Sequence, residues 1–234
     1  NLSDRVSCRI LVGASALAGA VFNAAIPMLN PGFGAALALH FLTGLALAGI
    51  YPPGMKLVAT WCREDRGLGI GMLVGAITVG SAGPHLIAGL SLVGGGQALP
   101  WESLLLVASG LAAMGGLIIL AAFRLGPYLS GAAPFNWRYA GQVLAHRPTR
   151  LATVGYLGHM WELYAVWTWV PILILESYRS AGISSIWARV AGFSMLAIGA
   201  VGCTLAGKLA DSHGRTVIIN FSLILSGACA LTAG

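Results

Sequence analysis

Charge is what this chain has least of. Lys, Arg, Asp and Glu make up 9% of its 234 residues, where a protein with an ordinary aqueous surface carries about a quarter. With 57% hydrophobic residues and 33 glycines, it belongs in lipid. The net charge is +6, yet the basic residues are scattered singly or in pairs between apolar runs, with no basic stripe and no interleaved aromatics. That scatter excludes a nucleic-acid-binding surface. Cys8, Cys62, Cys203 and Cys229 lack metal-ligand spacing and lie in or beside apolar segments, so they read as small buried hydrophobes and say nothing about redox compartment. Walker, His-Glu-x-x-His, Gly-x-Ser-x-Gly and dinucleotide-binding patterns are missing as well. The expectation is therefore a protein that is not an enzyme, with no cofactor and no metal. There is no initiator Met and no signal peptide, and the chain stops inside an apolar run, Ser222 to Gly234, so both ends are expected to be truncations.

What is present is a series of runs long enough to cross a bilayer, which takes about 20 apolar residues each. Seven candidates cover 10–29, 35–60, 68–93, 103–123, 151–175, 187–208 and 216–234. They are apolar all round and rich in Gly and Ala, without the alternation of membrane strands. The expected fold class is thus all-α, a polytopic transmembrane bundle. Pro27, Pro52, Pro53, Pro84 and Pro171 mark kinks or breaks within it. The longest polar stretch, 124–150, contains Pro127, Pro134 and Pro148 and an amphipathic patch around Trp137. It reads as a cytoplasmic linker between a helical segment at 1–123 and another at 151–234. If the opening residues are cytoplasmic, eleven of the 13 basic residues fall inside and only Arg179 and Arg189 outside, as the positive-inside bias requires.

A short charged loop is expected between two of these runs: Gly207-Lys208-Leu209-Ala210-Asp211-Ser212-His213-Gly214-Arg215. A fainter copy, Leu2-Ser3-Asp4-Arg5-Val6-Ser7-Cys8-Arg9, opens the chain. Their separation is far too long for a solenoid period but suits a membrane protein made of two similar halves. With the central linker, these motifs resemble the major facilitator superfamily of secondary transporters along the whole chain. The family's Gly-x-Leu-Ala/Ser-Asp-Arg-x-Gly-Arg-Arg signature is met at Gly207, Leu209, Ala210, Asp211, Gly214 and Arg215, while Ser212 and Thr216 replace basic residues. The first copy has Ser7 for the glycine and Cys8 for an arginine. The resemblance implies a fragment running from helix three to within helix nine, and implies that Asp4, Arg5, Arg9, Gly207, Asp211, Gly214 and Arg215 act in a cytoplasmic gate. His40 stands where the family's helix four has arginine. The phrase Gly158-His159-Met160-Trp161-Glu162 is similar to permeases of the nitrate/nitrite-porter and organic-anion type.

Glu162 lies about eleven residues into its apolar run, near the midplane, where an unpaired charge costs several kcal/mol. His159 precedes it by one turn on the same face, so the two can share a proton; Trp169 follows two turns on. Glu162, His159, His40, Tyr51 and Trp169 are the candidate residues for substrate or proton coupling. The alternative for Glu162 is a carboxyl bonded to a neighbouring helix that only specifies packing. Asn23, Tyr51, Tyr156 and Tyr164 read as interhelical hydrogen-bonding groups. His85 is expected to satisfy a carbonyl freed by Pro84. Arg189 reads as a snorkelling anchor or as an attractor of anions. The expected function is secondary transport of a small solute, including organic or inorganic anions, by alternating access with proton or ion coupling. The expected setting is a monomer in a bacterial inner membrane. A sensor on the same scaffold, and a membrane enzyme using His159 and Glu162, are the rival readings.

Overall fold

The computed structural model describes residues 6–93, 96–97, 99–128, 141 and 145–233. Among them the secondary structure is entirely helical: α1 (Cys8–Leu29), α2 (Phe33–Leu47), α3 (Tyr51–Ala59), α4 (Arg66–Leu90), α5 (Trp101–Ala122), α6 (Arg147–Ser180), α7 (Ser185–His213) and α8 (Arg215–Ala233). In hydrocarbon, water cannot satisfy backbone N–H and C=O groups, so each crossing segment must satisfy its own, and a helix does so. Six stretches are long and apolar enough to cross a membrane: α1, α2 with α3 taken as one (Phe33–Ala59), α4, α5, α7 and most of α8. The seventh expected span lies within α6. At 34 residues α6 is the longest helix, and its ionisable and aromatic side chains leave it less apolar than the other six.

Two antiparallel pairs dominate the bundle, α4 with α7 and α1 with α5. Both are built on residues too small to hold backbones apart. Gly67, Gly71 and Gly75 recur every four residues along one face of α4, opposite Gly207, Cys203 and Ala200 of α7. A Cβ on Gly71 would stand 2.4 Å from the Cys203 carbonyl oxygen, and one on Gly75 2.9 Å from that of Ala200. Lipid offers no hydrophobic drive for helices to associate, so close backbone approach and the dispersion it brings must supply the attraction. The pair stays in contact along its length, reaching Gly89 against Arg189 at the far end. In the second pair, Gly13 of α1 meets Gly116 of α5, and the Asn23 amide bridges them, donating to the Leu105 carbonyl (3.2 Å) and the Ser109 hydroxyl (2.9 Å).

The break expected at Pro52 and Pro53 divides the run at 35–60 into two helices, because these prolines lack N–H donors and fit only a first turn; residues 48–50 form the break, and α3 starts just after it. Two other sequence expectations need correction. Around Pro84 the opposite holds. α4 runs through it unbroken, and the His85 ring forms no hydrogen bond to a freed carbonyl among the described residues; it lies against Gly192 of α7. Finally, the charged motif at 207–215 is not a loop. α7 continues to His213, and only Gly214, at φ 88°, leaves the helix before α8 begins.

Elsewhere, a Schellman turn joins α6 to α7. The Ile183 N–H donates to Tyr178 O and the Gly182 N–H to Arg179 O, with Gly182 at φ 70°. The stretch after α5 is tied down over 123–128. The hydroxyl of buried Thr60 accepts from the Gly126 N–H (2.8 Å), the Thr60 carbonyl accepts from Tyr128 (2.9 Å), and Trp61 donates to Arg124 O. Residues 129–140 and 142–144 of the expected linker lie outside the described residues.

The α4–α7 contact predicts a contrast between two glycines of one helix. Gly71→Leu should lower the melting temperature of the purified protein sharply, since overpacking costs about 1–3 kcal/mol even against yielding side chains and here the neighbour is backbone. Gly80→Ala faces open space and should leave melting unchanged or slightly raised.

Candidate functional site

The site candidates fall into two groups, one at the end of the α4–α7 seam and one along α6. The first centres on Asp211, in the last turn of α7. Its Oδ1 accepts from the Gly67 N–H at 2.8 Å and its Oδ2 from the Leu68 N–H at 2.9 Å. These are the second and third residues of α4, whose first-turn amides have no partner within their own helix. The local residue that would normally cap them, Asp65, forms no side-chain cap bond. Asp211 therefore caps α4 from a different helix, both carboxylate oxygens engaged and the negative charge set at the positive end of the α4 dipole. Gly67 and Gly207 make this possible: a Cβ on Gly67 would fall 2.5 Å from Asp211 Oδ1 and 2.4 Å from Gly207 O.

The other expected gate residues are placed differently. Among the described residues Arg9 pairs with no acid; its Nη1 donates to Phe123 O at 3.3 Å, joining the start of α1 to the end of α5. Gly214 provides the turn between α7 and α8, and Arg215 is exposed at the first position of α8. Asp4 and Arg5 lie outside the described residues.

The second group has Glu162 at its centre. The Ser226 hydroxyl of α8 donates to Glu162 Oε1, and His159 Nδ1 lies 3.9 Å from Oε2. Glu162 is one-third exposed and His159 about half. The carboxyl thus reaches a neighbouring helix and also has an imidazole one turn away, combining both sequence readings of this residue. Ser226 was not foreseen, because nothing in an apolar run such as 216–234 marks which serine faces α6.

Tyr51, half-buried at the start of α3, lies within electrostatic reach of Tyr156 on α6 and Cys203 on α7. It is not part of the Glu162 cluster. Trp169 is exposed on α6, and the ring contact found there is instead Tyr164 with Trp167, edge to face at 5.8 Å. His40 is exposed on α2 and meets none of the other candidates. No group of three or more His, Cys, Asp or Glu side chains among the described residues is arranged to hold a metal ion.

The features assembled so far define a polytopic α-helical membrane protein. The sequence pattern of the Major Facilitator Superfamily matches residues 1–234, and the chain belongs to that family. It is also similar to the MFS-type transporter pytF of Aspergillus terreus (strain NIH 2624 / FGSC A1156), at 28% identity over 181 residues, 76% of this chain and 58% of the relative. The chain therefore spans little more than half of that protein's length. No solved structure matches it.

The cross-helix cap makes a residue-level prediction. Asp211→Ala should speed hydrogen exchange at the Gly67 and Leu68 amides by about tenfold, the equivalent of one exposed charge-assisted bond at the lower end of its usual range. Asp211→Asn keeps one acceptor oxygen and should fall between. Mass spectrometry of the peptide covering 62–72 reads both.

Proposed function

We propose that the protein is a secondary active transporter that moves a small solute by alternating access, with a proton or another ion as the coupling species. The observation that carries this reading is the Asp211 cap on α4. α4 and α7 come from opposite sides of the 124–150 stretch, so the cap joins the two proposed halves, residues 1–123 and 151–234. It consists of two hydrogen bonds to exposed backbone at a helix end. Such bonds break without disturbing a core, and their loss frees Asp211 for water when the halves rock apart. Basic residues gather on this side, which supports a cytoplasmic position for the gate. Asp4, Arg5, Arg9, Gly207, Gly214 and Arg215 belong with Asp211 in the proposed gate, and the fragment corresponds to helices three to nine of the family.

In the proposed mechanism Glu162 carries the coupling proton, with His159 as exchange partner and Tyr51, His40 and Trp169 in the solute path. We further propose an organic or inorganic anion as the solute, a monomeric state, and a bacterial inner membrane as the setting, although the relative reported above is fungal.

Transport by the full-length protein in proteoliposomes tests the reading. Glu162→Gln should retain counterflow while losing most of the pH dependence of uptake, since the fixed amide mimics the protonated carboxyl. Wild-type protein that binds solute without counterflow would instead be a sensor. A Glu162→Gln protein with an unaltered pH profile would remove Glu162 from coupling.

A further inference from the structure

The end of the α4–α7 seam opposite Asp211 carries a cation, Arg189, that has no carboxylate counter-charge among the described residues. Arg189 lies 22 residues before Asp211 on α7, about 33 Å along the helix axis at 1.5 Å per residue, which is close to a full hydrocarbon thickness. Its aliphatic stem packs against α4, with its Cβ 3.3 Å from where a Cβ on Gly89 would stand. Its Nε is buried and bonded to nothing among the described residues. No carboxylate among them lies within ion-pair distance of it, the ion pair found on α6 being that of His159 with Glu162. One turn further on the same face of α7, Gly192 sits under the His85 ring of α4; a Cβ there would be 3.9 Å from Nδ1. The His85 ring is within reach of the Arg189 charge.

A buried guanidinium N–H without an acceptor is costly and calls for an explanation. Arg189 as a whole is half-buried, and a snorkelling anchor would carry its entire head out to water, whereas here the Nε is buried with no partner among the described residues. The arrangement combines a planar fork of donors with an imidazole able to donate one more bond, Gly89 lying beside the stem of Arg189 and Gly192 beside the His85 ring and Pro171. This is the chemistry that recognises a small oxyanion, a carboxylate or an inorganic one, with two bonds from Arg189 and a third from His85. We propose that Arg189 and His85 form an oxyanion-binding subsite between α4 and α7, at the membrane face opposite the Asp211 cap. The subsite stands on this geometry alone and does not depend on the coupling role of Glu162. An anion bound there would tie α4 to α7 at that end, as Asp211 ties them at the other.

The test uses the full-length protein purified in a phospholipid-free detergent and titrated with sodium acetate or sodium sulfate at constant ionic strength, following the melting temperature. Wild-type protein should be stabilised with a saturable dependence on the oxyanion. Arg189→Gln should weaken the apparent affinity at least tenfold, Arg189→Lys less because a point charge replaces the fork, and His85→Gln severalfold. Saturable stabilisation retained in Arg189→Gln would overturn the proposal, as would no stabilisation of wild type. Stabilisation by phosphatidylglycerol micelles but by neither small anion would assign the residues to a lipid headgroup and overturn it too. If Arg189→Gln fails to fold, the wild-type titration and Arg189→Lys still decide. Saturable oxyanion binding without counterflow would leave this subsite standing while removing the transport reading.

Discussion

Backbone-to-backbone approach of α4 and α7 is the constraint on which the arrangement depends. It requires that a side chain be missing every four residues on one helix and that its counterpart be equally bare, and Gly67, Gly71 and Gly75 against Gly207, Cys203 and Ala200 meet that requirement. Each pair contributes little, because a dispersion contact between two atoms is worth only about 0.1–0.2 kcal/mol. The sum over a full-length helix pair is what counts, and it falls off steeply if any one position is propped open. Such an interface suits parts that must separate and return, because the polar bonds at its Asp211 end are few and terminal.

That geometry also explains why the Asp211 carboxylate can do what a local capping residue normally does. A cap from a distant helix must bring an oxygen to within 3 Å of a first-turn amide, which ordinary side chains at the crossing would prevent. Gly67 supplies both the amide and the empty space beside it. Cap and seam are therefore one feature. Replacing Gly67 would displace Asp211 even though the carboxylate itself were untouched. The cap also reaches α4 just after the Cys62–Asp65 turn, next to Thr60 and Trp61, which hold the chain at 124–128. Thr60 and Trp61 thus tie residues 124–128 to the chain just before the helix that Asp211 caps.

Much of the helical layout was legible, because hydrophobic runs and prolines report local physics. The break before Tyr51 follows from two adjacent prolines that fit a first turn and nothing deeper. The richness of the runs in Gly and Ala announces close packing, though not that Gly67, Gly71 and Gly75 form its face. What the sequence could not show is which face meets which. Asp211 reads from the chain as part of a charged motif, and only the fold pairs it with amides far away in sequence. Ser226 is opaque for the same reason, since a serine among leucines acquires meaning only from the residue opposite, and Arg189, read as an anchor or an attractor of anions, gains Gly89 as a neighbour only through the fold. The reading of 207–215 as a loop failed because its polar residues cluster as loop residues do, although a helix end facing an interface is just as polar.

Placed on one antiparallel pair, the two charged ends complement each other. Asp211 binds backbone donors that the protein itself supplies, so that end closes without a ligand. Arg189, whose Nε has no acceptor among the described residues, lies with His85 at the far end, where the proposed anion would add the closing bonds. A seam with one self-satisfied end and one that needs a ligand has a built-in asymmetry. Separation at the Asp211 end costs the protein its own bonds, whereas at the Arg189 end the cost depends on anion concentration through mass action. The same small-residue face can thus hold at one membrane surface while the other responds to what it binds, and the difference arises from where the chain places a carboxylate and where it omits one.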